Sequence, residues 1–159
     1  MYKVLVIGNG STGFSGKDYY INNRTGNFLQ NLLTQETIEG VEYCELLGKD
    51  YDPDANLQNF PLFKNNIPFV GIPRTNPLFK VMFVIKTFLQ KRKIDLFHIF
   101  FPSTLGSLFA LLAIVFNKDY SLYLRGQIDI NTRLNKIILK KAKVILTVSS
   151  GFNDAISPT

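Results

Sequence analysis

One cysteine and one histidine are present in 159 residues. A lone cysteine closes no internal disulfide, which excludes a cross-linked secreted scaffold. Together the two residues are too few for a structural zinc site of the usual kind. The sequence has no CxxC pair, no Walker A segment and no nucleophile elbow with a Ser/His/Asp ordering. Charged residues are scarce at 19%, against 46% hydrophobic residues that include 14 Phe and 7 Tyr. A disordered chain needs the opposite balance. The apolar start at Lys3–Gly8 is too short for a signal-peptide core, and no small-residue cleavage site follows it. The longest apolar run, Leu96 to Phe116, is interrupted by His98, Pro102, Ser103, Thr104, Gly106 and Ser107. Pro102 divides it into a strand-length half and a helix-length half, so a membrane span is not expected. No internal repeat or low-complexity segment occurs.

At 18.1 kDa the chain suits a single domain over residues 1–159. Its charge is unevenly placed. Residues 1–50 carry a net −2 and residues 51–159 a net +8, with a pI near 9.4. A basic second half points to a phosphate-bearing partner such as a nucleotide, a nucleic acid or an anionic lipid, or to a solubilising surface. The cations fall on two helices and no nucleic-acid reader motif is present, so a nucleic acid is not expected.

Short runs rich in Val, Ile and Phe predict strands at Lys3–Gly8, Val41–Leu47, Pro68–Ile72, Asp95–Phe101, Tyr120–Leu124 and Val144–Val148. Between them, i, i+3, i+4 apolar spacing predicts helices from about Thr25 to Gly40, over 78–93, over Thr104–Phe116 behind a Ser103 cap, and over Ile130–Lys141. A further helix start is read at Ser149-Ser150-Gly151. Residues 9–24 and 48–66 read as long polar loops. Cys44 reads as a small core residue. The alternation predicts a three-layer, doubly wound, Rossmann-like α/β domain with about six mostly parallel strands.

In such a sheet, ligands bind beyond the carboxyl ends of the strands. Four features there carry chemistry. Gly8-Asn9-Gly10-Ser11-Thr12-Gly13 is a literal GxGxxG after a strand, which allows an NAD(P)- or flavin-binding oxidoreductase domain. However, the residues that follow make a poor helix, and the acidic residue expected about 20 positions on is missing. Thr25-Gly26-Asn27 opens the first good helix, where free amides suit a phosphate and Gly26 permits close approach; an ordinary cap is the plain alternative. His98, near the end of the fourth strand, is either a core histidine or a site residue. Arg125, beside Gly126 at the end of the fifth strand, suits a phosphate or carboxylate, or a salt bridge with Asp129.

Taken together, these segments resemble the N-terminal domain of a GT-B fold, family 4-like glycosyltransferase. Thr25-Gly26-Asn27-Phe28-Leu29 is similar to the family's Gly-Gly entrance to its first helix. Asp95-Leu96-Phe97-His98-Ile99-Phe100 is similar to its Asp-x-x-His-x-His strand, with Phe100 in place of the second His. Leu124-Arg125-Gly126-Gln127-Ile128-Asp129 resembles its (His/Arg)-Gly-x-Asp strand end. Ala142–Gly151 resembles its Ala-Asp-x-Val-x-x-x-Ser segment, the most specific match of the four.

The resemblance implies a hexosyltransferase that uses a nucleotide-sugar donor and a glycan or lipid-linked acceptor, without a metal or other cofactor. It implies a donor-diphosphate loop at Gly13, Thr25 and Gly26, a catalytic His98, and acceptor or phosphate contacts from Arg125, Gly126 and Asp129. Most nucleotide contacts would come from a C-terminal domain absent from this chain, leaving the chain alone inactive. A cytoplasmic protein, peripheral to the inner face of the cell membrane, is implied as well. Helix 78–93, with Phe79 and Phe83 beside its lysines, and helix 131–143 are then candidate membrane patches, or else helices with solvated basic edges. A non-catalytic binding domain remains an alternative.

Overall fold

A computed structural model describes residues 1–10, 12–48, 59–126, 128–130 and 132–147. The helix start at Ser149-Ser150-Gly151 lies outside the described residues, as does Gln127. The chain runs β1 (Tyr2–Ile7), β2 (Gly13–Ser15), β3 (Asp18–Ile21), α1 (Asn23–Leu33), β4 (Ile38–Leu46), β5 (Phe60–Pro61), β6 (Phe69–Ile72), α2 (Pro77–Gln90), β7 (Leu96–Phe101), α3 (Thr104–Val115), β8 (Tyr120–Leu124), α4 (Arg133–Lys141) and β9 (Val144–Thr147).

Six strands form one parallel sheet in the order β6-β4-β1-β7-β8-β9. The strands nearest the chain start therefore lie at the centre, and the order reverses between β1 and β7. That is the doubly wound Rossmann arrangement, with its ligand crevice expected at the reversal. In parallel pairing, β-branched and aromatic residues are buried on both faces. Leu5, Ile7, Ile99, Phe101, Leu122 and Leu124 pack under α2, α3 and α4. Val4, Val6, Tyr43 and Phe100 pack under α1 and the segments around Phe60 and Leu62. Cys44 is fully buried, in the first of these cores, and burial pushes its thiol pKa up.

Two loops expected from the sequence carry structure. Within 9–24, β2 and β3 pair as an antiparallel hairpin, and within 48–66, β5 adds to it as a third strand. The signal is a short period-two alternation, Phe14, Tyr19 and Ile21, around Gly16 at φ +64° as the first of two turn residues. The Tyr19 ring ties the hairpin down, with its centroid 4.9 Å from Phe14 and 4.6 Å from Phe69. Asp18 Oδ1 accepts from the Phe63 amide at 2.8 Å, which fixes the turn after β5. The first helix also begins earlier than expected. Asn22 caps it, accepting from the Arg24 amide, so Thr25 and Gly26 lie inside the first turn.

The apolar run Leu96–Phe116 is β7, a turn through the cis Phe101–Pro102 peptide, and α3 behind the Ser103 cap. Among the described residues no helix is long and apolar enough to cross a membrane.

Candidate functional site at the carboxyl ends of the strands

Arg125 follows the last residue of β8, on the α1 side of the sheet. It is the cation around which the site is built. Its Nη1 donates to Thr25 Oγ1 at 3.2 Å. Its guanidinium carbon lies 4.1 Å from the Phe100 ring centroid and 5.0 Å from that of Tyr123. Planar stacking on two rings holds the group without neutralising it. The Asp129 backbone carbonyl accepts from Asn135 Nδ2 at 2.7 Å, near the start of α4. Gly126 adopts φ +98°, a conformation that L side chains rarely adopt, and it turns the chain directly after Arg125.

His98, in β7, packs against the same Phe100 and Tyr123 rings as Arg125 and is 5% exposed. Its Nδ1 shares a 2.8 Å hydrogen bond with Ser121 Oγ on β8. Its ring stacks on Phe28 of α1 at 5.1 Å. Its Nε2 has no hydrogen-bond partner among the described residues. Burial, and secondarily the Arg125 charge, lower its pKa to about 4, so the ring is neutral at pH 7. A neutral imidazole can accept or donate a hydrogen bond but carries no cation of its own.

Glu45, at the end of β4, is the residue that sequence reasoning missed. It is 4% exposed. Its Oε1 accepts from the Gly10 amide at 2.7 Å, its Oε2 from Thr12 Oγ1 at 2.8 Å, and the Tyr43 hydroxyl bonds to it as well. This carboxylate pins the chain leaving β1. Burial raises its pKa above the ordinary carboxylate value, against the opposing pull of those bonds and of Arg125. The only hint was a charged residue between Cys44 and Leu46 in an otherwise apolar segment. Glu45 also occupies the strand end from which a dinucleotide enzyme contacts ribose, but both of its oxygens are engaged by the loop. After the glycines a hairpin opens rather than a helix, so no helix N-terminus faces a pyrophosphate there.

On the other side of the sheet, a cavity of about 200 Å³ opens at the strand reversal. Gly8, Gly10, Lys80, Ser103 and Thr104 line it. The residues singled out from sequence therefore divide. His98, Arg125 and Thr25 come together, with Gly126 beside them. Gly13 is drawn into β2, paired with Tyr20 in the small sheet. Gly26 lies under Phe60, where a Cβ would come 2.1 Å from the ring. Gly26→Ala is therefore expected to destabilise the fold by about 2 kcal/mol, as overpacking outweighs the roughly 1 kcal/mol helix-propensity gain. In a Phe60→Ala background the same change should become stabilising. Urea denaturation of the double-mutant cycle checks this, and a cost unchanged by Phe60→Ala would refute it.

No family model and no curated protein matches the chain. Thirteen solved chains do. One of them, from Listeria monocytogenes and assigned as a UDP-N-acetylglucosamine 2-epimerase, aligns with a TM-score of 0.62 at 10% identity. The match covers 98% of this chain and 41% of that one, so the chain spans about two-fifths of that protein's length. The likeness is one of fold. This chain has a GT-B-like, Rossmann-type fold.

Proposed function

We propose that this domain is the acceptor-side half of a nucleotide-sugar enzyme, in the finer reading a family 4-like glycosyltransferase acting on a glycan or lipid-linked acceptor. The observation that carries this is the cluster at the carboxyl ends of β7 and β8. Arg125, with no ion-pair partner among the described residues, donates to Thr25 in the first turn of α1 and shares the Phe100 and Tyr123 rings with a neutral His98. A fixed guanidinium suits a phosphate or carboxylate. The buried His98 ring backs the Phe28, Phe100 and Tyr123 rings beneath that cation. The fold's likeness to a protein named for a UDP-sugar supports the same substrate class. In this reading Thr25 and Arg125 meet the donor diphosphate or the acceptor, and a second domain supplies most of the nucleotide contacts. The sugar transfer needs no resident metal or redox cofactor.

Two measurements test the reading. Titration calorimetry of this chain should show weak or no binding of a UDP-sugar, and saturable submicromolar binding of NADH would favour the dinucleotide enzyme instead. In the polypeptide that carries the second domain, Arg125→Ala should lower the transfer rate about 30-fold, the worth of one hydrogen bond to a charged group at about 2 kcal/mol. Circular dichroism should show the fold retained. An unaltered rate would remove Arg125 from the site.

A further inference from the structure

The chain contains a single Asn-Gly pair, Asn9-Gly10, in the turn that leaves β1. Both residues are exposed. The turn is pinned on either side: Gly8 N donates to the Cys44 carbonyl at 2.8 Å, and Thr12 N to the Leu46 carbonyl at 3.1 Å. Between these anchors the Gly10 amide donates to Glu45 Oε1 at 2.7 Å. Glu45 is buried, and its other oxygen takes the Thr12 hydroxyl at 2.8 Å, so the carboxylate is held in place. A Cβ on residue 10 would come 3.2 Å from Oε1, a tight contact that glycine avoids. Other asparagines have a different surrounding. The amides that follow Asn66, Asn117 and Asn135 donate to the backbone carbonyls of Leu62, Ala113 and Thr132.

We propose that Asn9 is a site of self-modification, deamidating through a succinimide with Glu45 as the base that takes the Gly10 amide proton. Asparagine deamidates when the nitrogen of the next residue attacks its side-chain carbonyl carbon, and a glycine there offers no side chain in the way. A neutral amide nitrogen is a poor nucleophile, so in a disordered chain hydroxide or buffer must remove its proton. Here a fixed, desolvated carboxylate already holds that proton. Burial strengthens the base, since it raises the Glu45 pKa. As Gly10 N bonds to Asn9 Cγ, the proton passes to Oε1. It is then returned to the departing side-chain nitrogen, which leaves as ammonia and regenerates the carboxylate. Water, the one co-reactant, opens the five-membered imide at either carbonyl and leaves aspartate or isoaspartate at position 9. Asn9, Gly10 and Lys80 line the cavity at the strand reversal, so either product adds a carboxylate to a lining that held only a cation. Isoaspartate also lengthens the backbone by one carbon between two pinned ends. None of this depends on the proposed transferase activity.

The folded protein is incubated at neutral pH beside the same protein unfolded in guanidinium chloride. Trypsin then releases Val4–Lys17, a fragment in which Asn9 is the one asparagine. Its gain of one mass unit, with isoaspartate counted by enzymatic methylation, gives the rate. Folding ordinarily slows deamidation by keeping the chain from the ring-closing geometry. Here the folded protein should react at least about tenfold faster than the unfolded one, a small part of the roughly 100-fold or more that a positioned base supplies. Glu45→Gln keeps the volume and an acceptor oxygen but takes up no proton, and should slow the folded rate by at least about tenfold. Glu45→Ala should slow it likewise, although its turn is looser. Asn9→Gln, which would have to close a six-membered ring, should show no mass gain. A folded rate below the unfolded one overturns the proposal, as does a parent rate retained in Glu45→Gln. A faster rate in Glu45→Ala overturns it too, since mobility rather than a base would then be the cause. The folded-against-unfolded comparison needs no variant, so it decides the matter whether or not the Glu45 variants fold.

Discussion

Acidification from pH 7 to pH 4 is expected to remove about 3 kcal/mol of folding stability through His98 alone. The unfolded chain protonates this ring near the ordinary value of 6.5, whereas burial and the Arg125 charge hold it down to about 4 in the folded state. Between those values the unfolded state binds the proton that the folded state refuses. Stability from this group is therefore complete above pH 6.5, falls as the pH drops, and is lost by about pH 4. At about 1.4 kcal/mol per pH unit the interval gives the stated figure.

Glu45 acts in the opposite direction. Its folded-state pKa is raised, so its contribution declines as pH climbs from the ordinary carboxylate value to the raised one. The two windows overlap, and the parent curve alone would mix them. His98→Gln separates them, since glutamine does not titrate. Urea midpoints measured from pH 4 to pH 8 should show the variant losing the acid-side decline, with the difference between the two curves opening below pH 6.5. Parallel curves would mean that His98 is protonated at no unusual cost, and the picture of a neutral, desolvated imidazole among the Phe28, Phe100 and Tyr123 rings would be wrong.

The sheet was legible because burial on both faces leaves its mark in every strand. Tyr120–Leu124 is predicted to the residue, and the other five central strands overlap their expected ranges. The helices were legible where an apolar stripe met a cap, as at Ser103 and Asn76. What escaped was polar and non-local. The hairpin at 13–21 is only nine residues of weak alternation, stabilised by Phe63 and Phe69, which lie more than forty positions away in sequence. Gly26 reads as room for a ligand, because a sequence shows a missing Cβ but not the Phe60 ring that fills the space. The site itself was half visible. Arg125 and His98 stand out as rare residue types at strand ends. Their meeting with Thr25, a hundred residues before Arg125, depends on α1 lying across β7 and β8. Glu45 had no local signal beyond its own charge, since its meaning lies in a loop 33 to 35 residues earlier.

That buried carboxylate sets the other large effect. Glu45→Ala leaves the Gly10 amide, the Thr12 hydroxyl and the Tyr43 hydroxyl without their acceptor. Thr12 is 1% exposed and Tyr43 2%, so water does not readily replace it. Each stranded donor costs about 1–3 kcal/mol, and the expected total is about 4 kcal/mol. Ionised Glu45 carries a desolvation penalty that the substitution relieves, which keeps the total below the sum of the three maxima. Glu45→Gln is the informative partner. It keeps the volume and one acceptor oxygen, sets an amide NH₂ against a donor, and should cost only about 1 kcal/mol. Hydrogen exchange gives a readout that global stability does not: the Gly10 amide should lose protection in Glu45→Ala while the β1 amides of Val4–Ile7 keep theirs. If Gly10 stayed protected, or if Glu45→Ala cost less than about 1 kcal/mol, the loop would be held by its own backbone pairing through Thr12 and Leu47, and Glu45 would be a passenger. Because Gly8 and Gly10 also line the cavity at the strand reversal, a loosened loop should weaken any ligand bound there in the same variant, and leave Arg125 and His98 in place.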